Sequence, residues 1–121
     1  MKRTLAFLAI CALLITTAPL SAHHSTAMYT GPAKTVSGKV LKFEWTNPHA
    51  HVYIETKDEK GATVVWDVEL MSLNHLRSYG WTAKTVKVGD VVSATGNYAK
   101  SGDPAMIASR MKLADGREIS S

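Results

Sequence analysis

The chain has 121 residues, one cysteine, 45% hydrophobic residues and a formal net charge of +4. This length limits the chain to one domain, because a domain typically holds about 100–200 residues. No basic block accompanies the net positive charge, so the composition argues against nucleic acid as a partner.

The first 22 residues have the pattern of a secretory signal peptide. A basic start, Met1-Lys2-Arg3, precedes an unbroken apolar run at residues 5–15, and small residues lead up to Ala22. The apolar run is shorter than the roughly 20 residues that span a bilayer. We therefore expect a periplasmic or secreted protein that is cleaved after Ala22 and keeps no stable membrane anchor.

Cleavage at that point would change what the mature chain contains. Removing 22 of the 121 residues leaves 99, without Cys11, and the formal net charge falls from +4 to +2 with the loss of Lys2 and Arg3. No disulfide or thiolate site remains, so core packing alone must hold the domain together. We expect residues 23–33 to form a polar N-terminal arm and residues 34–121 to form the single domain.

Residues 35–46 predict the first strand of that domain. Its apolar residues change from even to odd positions partway along: Val36, Val40, Leu41, Phe43 and Trp45. A change of face beside Gly38 predicts a bulge or strong coil in mid-strand, which a small closed barrel requires.

Residues 49–56 predict the second strand, which follows a turn at Asn47-Pro48. Alternate side chains of a strand share a face, so one set is apolar and the other polar. The apolar set of Ala50, Val52 and Ile54 faces the core. The polar face consists of His49, His51, Tyr53 and Glu55.

Residues 62–70 predict the third strand, after a charged turn that ends in glycine. Ser72 can cap a short helix in which Leu73 and Leu76 share a face, and Gly80 can end it. We expect Trp81 to pack back against the preceding elements.

Residues 91–98 and 105–113 predict the last two strands. In the latter we expect Ile107, Met111 and Leu113 on one side, followed by a tight turn at Asp115-Gly116 and a frayed end. Three strands, a short helix and two strands match the five-stranded Greek-key barrel called the OB-fold. An open β-sandwich is the alternative all-β fold.

The histidines are the candidate ligands of a transition metal. After cleavage, His23 would carry a free α-amine beside its imidazole, and the two can chelate one ion. The other candidates are His24, His49 and His51, and Met28 could add a sulfur for Cu(I). Nitrogen ligands favour copper most among the divalent ions, so copper is the expected metal.

Acidic side chains near the strand histidines could orient their rings. They are Glu55 on the same face, and Asp67 and Glu69 on the neighbouring strand. The structural alternative is that His49 caps the Asn-Pro turn while His51 is an ordinary exposed residue.

Other functions use the same part of the chain. An acid–base enzyme could pair a histidine with Glu69 or Asp67, but no nucleophile elbow or glycine-rich phosphate loop accompanies them. A binding module without a metal could take a peptide, a glycan or a protein on Trp45, Asn47 and Trp81, which lie beside turns. Trp66 lies on the same face of the predicted third strand as its apolar neighbours and is therefore expected in the core.

Several motifs resemble the short exported bacterial proteins grouped as domain of unknown function 6152. They are His23-His24-Ser25, Trp45-Thr46-Asn47-Pro48-His49, Trp66 with Val68-Glu69-Leu70, Gly80-Trp81, Gly89-Asp90-Val91 and Leu113-Ala114-Asp115-Gly116-Arg117. The resemblance covers essentially the whole mature chain. It implies an exported, single-domain protein and assigns no role to any residue.

Overall fold

The structure is a computed structural model that describes residues 26–121. The expected signal peptide and the His23-His24 pair lie outside the described residues. The elements are a 3₁₀ turn Thr26–Met28, the strands β1 Ala33–Glu44, β2 His51–Lys57, β3 Thr63–Glu69, the helix α1 Leu73–Ser78, and the strands β4 Val91–Tyr98, β5 Ala105–Lys112 and β6 Glu118–Ser120. From residue 26 onward, the chain has no helix with the length and apolarity needed to cross a membrane.

The five long strands close into a barrel, which confirms the predicted OB-like fold. The strand order is β3-β2-β1-β4-β5-β6, and a parallel pairing between β3 and β5 closes the barrel. The first strand is long enough to pair with β2 through one half and with β4 through the other. A short helix between β3 and β4 completes the arrangement expected of an OB-fold.

The predicted irregularity in β1 exists, but the bulge lies three residues beyond Gly38. The register with β2 shifts between Val40 and Lys42, which leaves Leu41 as an extra, exposed residue. Gly38 has a different role, because a Cβ there would overlap the carbonyl oxygen of Glu55. The glycine lets the backbones of β1 and β2 approach closely, and the bulge bends β1 and increases its twist.

The helix has the predicted ends. Ser72 is its N-cap and accepts a hydrogen bond from the backbone N–H of His75, while Gly80 follows with φ of 95°. Leu73 and Leu76 are its buried residues. The helix therefore lies against the barrel with one apolar face.

Trp81 packs into the core, as its position after the helix predicted. Its exposed fraction is 1%, and its Nε1–H donates to the carbonyl of Ser120 at 2.7 Å. The interpretation of Trp81 as part of a binding surface is therefore wrong, because a ligand cannot reach the ring. Trp66 packs against the core but is only half-buried.

Two expectations about the end of the chain are wrong. In β5 the residues that face the core first are Met106 and Ala108, whereas Ile107 is half-buried. The register with β4 shifts between Thr95 and Gly96, and only after that shift do Met111 and Leu113 point inward. The end is not frayed either, because β6 pairs with β5.

Candidate functional site

The loop that joins β1 to β2 places the two strand histidines at one end of the barrel. It contains a cis peptide bond between Asn47 and Pro48, and both residues are exposed. His49 precedes β2, and His51 is its first residue. Ala50 lies between them, fully buried, and accepts a hydrogen bond from the backbone of Leu70 at 2.8 Å. The pleat therefore turns both imidazoles to the outer face, as the alternation predicted.

Each of these histidines contacts a carboxylate on the neighbouring strand. The Nδ1 atom of His49 lies 2.6 Å from Oε1 of Glu69, and Nδ1 of His51 lies 2.7 Å from Oδ1 of Asp67. The contact of His51 is a hydrogen bond, and because an ionised carboxylate only accepts hydrogen bonds, Nδ1 of His51 is the donor, whereas His49 and Glu69 are at ion-pair distance. When the His51 ring is neutral, its Nε2 atom therefore carries the lone pair that can bind a metal ion.

Glu69 is buried although it belongs to the polar face of β3. Its exposed fraction is 5%, and its second carboxylate oxygen accepts a hydrogen bond from the hydroxyl of Tyr29 at 2.9 Å. Burial, together with this hydrogen bond, raises the pKa of Tyr29 above its usual range. The tyrosine is thus a neutral donor that connects the N-terminal arm to Glu69 and His49.

The arm is also anchored through its backbone. The carbonyl of Met28 accepts a hydrogen bond from the N–H of Lys100, and Gly31 exchanges hydrogen bonds with Tyr98 and the side chain of Asn97. These contacts fix residues 28–31 along the barrel beside the candidate site. Tyr29 is a site residue that the sequence pattern does not assign, although a single tyrosine in a polar arm indicates that the arm packs against the domain.

The described part of the predicted metal site is incomplete by itself. Among residues 26–121, no three histidine, cysteine, aspartate or glutamate side chains are arranged to hold a metal ion. His49 and His51 lie side by side, while His23 and His24 lie outside the described residues. Glu55 shares the face but makes no side-chain hydrogen bond or ion pair within residues 26–121.

The other predicted binding residues lie beside the same loop. Trp45 is half-buried against the core, and the guanidinium of Arg77 lies 5.7 Å from its ring centroid. Asn47 is exposed. With Trp81 in the core, only these two residues of the expected binding surface can be reached.

The outer face of β1, β2 and β3 is rich in carboxylates. Its acidic side chains are Glu44, Glu55, Asp67 and Glu69. Lys42 forms an ion pair with Glu44, and Lys39 stands opposite Glu55 in the register of β1 and β2, so the acidic side chains without a neighbouring lysine are Asp67 and Glu69. The remaining negative charge favours a cation over an anion next to the two imidazoles.

We expect His51 to titrate above the ordinary histidine pKa in metal-free protein. The hydrogen bond with Asp67 raises its pKa and outweighs the opposing effect of burial. Folding therefore favours the protonated ring. This contribution to the free energy of unfolding is fully present below about pH 6.5 and is lost as the pH rises through the folded-state pKa.

The measurement is an NMR titration of the His51 ring protons. The Asp67→Asn variant should lower the pKa of His51, because the carboxylate that stabilises the imidazolium is gone. The Glu55→Gln variant is the matched control and should leave that pKa almost unchanged. An unaltered pKa in Asp67→Asn would contradict the assigned role of the hydrogen bond.

Comparisons with known proteins agree with this architecture. A solved structure of the mitochondrial single-stranded DNA binding protein Rim1 from S. cerevisiae matches with a TM-score of 0.52 at 12% sequence identity. The match covers 69% of this chain and 93% of that chain. At this identity the likeness shows the fold alone, so the protein is a small OB-fold barrel.

The sequence pattern of a family of unknown function, DUF6152, matches residues 11–108. The chain belongs to this family. A search of the curated proteins finds no match. The family assigns no activity, so the site itself must carry the functional argument.

Proposed function

We propose that the mature protein is an exported periplasmic or secreted module that binds a transition metal, copper in the first place, through a histidine site. The ligands are His49 and His51 on the barrel, together with His23 and His24 from the arm. The observation that supports this most is the pair of histidine–carboxylate contacts at 2.6 Å and 2.7 Å on one face.

Such contacts are the usual support for a metal-binding histidine. A carboxylate that accepts from Nδ1 selects the tautomer in which Nε2 is free, and it holds the ring in one orientation. Two rings placed in this way by neighbouring positions need less reorganisation to bind an ion. Imidazole nitrogen suits copper, which also binds nitrogen ligands more tightly than the other divalent first-row metals.

The anchored arm supports the participation of His23 and His24. Tyr29 donates to Glu69, the same carboxylate that contacts His49. His24 stands two residues before the 3₁₀ turn Thr26–Met28 and five residues before Tyr29 in the chain. The arm is therefore anchored at the carboxylate beside His49 by a residue close in sequence to both histidines.

Single-stranded nucleic acid, which the structural neighbour is named for, fits this chain poorly. OB-folds bind oligonucleotides on the face formed around strands two and three. In this chain that face carries Glu55, Asp67 and Glu69, which would repel a phosphate backbone. The acidic face supports a cationic ligand instead.

Copper titration of correctly processed protein tests the proposal. The exported protein should begin with His23 on N-terminal sequencing and bind one copper ion with a dissociation constant in or below the micromolar range. The His49→Ala and His51→Ala variants should each weaken binding by about tenfold or more. The matched control is His75→Ala, which removes an exposed helical histidine outside the site and should bind copper as the unaltered protein does.

A second preparation tests the terminal chelate separately. One extra residue before His23 displaces the α-amine while keeping every side chain. Copper affinity should then fall by about tenfold or more. No copper uptake at micromolar concentration by the correctly processed protein would refute the proposed function.

The alternative is a metal-independent adaptor that takes a peptide, a glycan or a protein near Trp45 and Asn47. The half-buried indole with an exposed asparagine beside it is the feature that favours this function. The combined replacement of His23, His24 and His49 separates the two functions. It should abolish copper binding, whereas an adaptor would still capture its partner.

A further inference from the structure

A second cleft lies at the other end of the hairpin formed by β2 and β3. Its volume is about 420 Å³, and its lining includes Lys34, Val36, Lys57, Glu59, Val64 and Trp66. This volume is within the range of pockets that hold small molecules, about 300–1,000 Å³. Lys57 lies six positions after His51 along β2, or about 20 Å, so the cleft is distinct from the histidine site.

The floor of the cleft is apolar and includes an accessible indole. Val36 is buried, and Val64 and Trp66 are half-buried beside it. The ammonium of Lys34 lies 4.8 Å from the centroid of the Trp66 ring. Because Lys34 is exposed and flexible, its side chain can swing away into solvent and leave this ring face to a ligand.

The rim carries both donors and acceptors in balanced number. Lys34 and Lys57 supply ammonium groups, and Asp58 and Glu59 supply carboxylates. The Oδ1 atom of Asp58 accepts from the backbone N–H groups of residues 60 and 62, which holds the carboxylate in place with Oδ2 still available. The Nζ atom of Lys57 donates to Thr63 at 2.6 Å and keeps two further N–H groups.

We propose that this cleft binds a neutral pyranose, either alone or as one unit of a short oligosaccharide. The C–H face of a pyranose ring is apolar and can stack on the Trp66 indole. Each sugar hydroxyl is a donor and an acceptor at once, so it can pair with the ammonium groups and the carboxylates of one rim. The balanced charges disfavour a strongly anionic or cationic ligand. This proposal is independent of metal binding.

Two-dimensional NMR of the full mature chain tests the proposal. The probes are the methyl pyranosides of glucose, mannose, galactose and N-acetylglucosamine, with glucuronate as an anionic comparison. At least one neutral pyranoside should shift the Trp66 indole N–H and the Glu59 amide in a saturable manner, with a dissociation constant of about 1 mM. The matching disaccharide should bind several times more tightly.

Four variants and one control test whether the sugar binds in this cleft and whether any loss of binding comes from unfolding. Lys34→Ala and Glu59→Ala change exposed rim residues, and each should weaken binding by about threefold to tenfold. Trp66→Phe keeps an aromatic floor and should weaken binding less than Trp66→Ala. Lys112→Ala is the control on the exposed face of β5 and should have no effect.

The following results would overturn the proposal. The first is the absence of saturable shifts with all four pyranosides at up to about 50 mM, fifty times the expected constant. The second is binding of glucuronate alone, which would identify an anion site. The third is a set of shifts confined to residues outside the cleft.

Discussion

Replacing Gly96 with alanine is expected to destabilise the barrel severely. A Cβ at this position would overlap the carbonyl oxygen of Ile107 and approach the Cα of Ala108 to 2.7 Å. Both atoms belong to the backbone of β5, so no side chain can move aside to make room. Strands β4 and β5 must therefore separate. This separation also disturbs the pairing between β3 and β5 that closes the barrel.

The expected loss is about 4 kcal/mol or more of unfolding free energy, a value typical of severe core disruption. A domain of this size has about 5–15 kcal/mol in total. The midpoint of thermal unfolding should therefore fall by at least about 15 °C, measured by circular dichroism. Gly96→Ala should also unfold at lower denaturant concentration.

The control is Gly102→Ala in the loop before β5. Gly102 has a positive φ of 84° and no atom within 4 Å of an added Cβ. Alanine there carries only the backbone penalty of the left-handed region, about 1–2 kcal/mol. Equal destabilisation by the two variants would contradict the steric argument for Gly96.

The sequence predicted the barrel well because its strands have regular alternation and clear ends. The bulges were harder to locate. A face switch near Gly38 is visible in the pattern, but the extra residue is Leu41, because the pairing of β1 with β2 shifts register only between Val40 and Lys42. The irregularity of β5 has no comparable signal in the sequence, so the alternation predicts Ile107 on the side of Met111 and Leu113, where Met106 lies instead.

The other differences between prediction and structure arise from contacts between residues that are far apart in the sequence. Trp81 beside a turn could lie outside or inside, and its hydrogen bond to the Ser120 carbonyl ties it to a terminal strand that the sequence did not predict. The carboxylates next to the histidines, by contrast, are predictable, because β2 and β3 are neighbouring strands. The contact between Tyr29 and Glu69 joins residues 40 positions apart, and no local pattern could indicate it.

We expect replacement of Glu69 to affect this site more than replacement of its other carboxylates. Its two carboxylate oxygens contact the ring of His49 and the hydroxyl of Tyr29, and its side chain is almost fully buried. A buried carboxylate with two such partners both orients the histidine and fixes the arm. Its replacement should therefore alter metal binding and stability together.

Glu69→Ala is expected to lower the affinity for copper by about 100-fold, and Glu69→Gln by about tenfold. Alanine leaves His49 and Tyr29 without their acceptor, which should also cost about 3 kcal/mol of unfolding free energy. Glutamine retains one acceptor oxygen and the shape of the side chain, so it should lose less stability than alanine. Calorimetric copper titration and thermal unfolding of the metal-free protein measure the two effects.

Two further variants separate the roles of Glu69. Tyr29→Phe removes only the hydroxyl that anchors the arm, and it should weaken copper binding while His49 stays oriented. Glu55→Ala removes a carboxylate from the same face and should change neither property by much. If Glu69→Ala lowered stability but left copper affinity unchanged, Glu69 would be a structural residue of the barrel and His49 would not be a ligand that it positions.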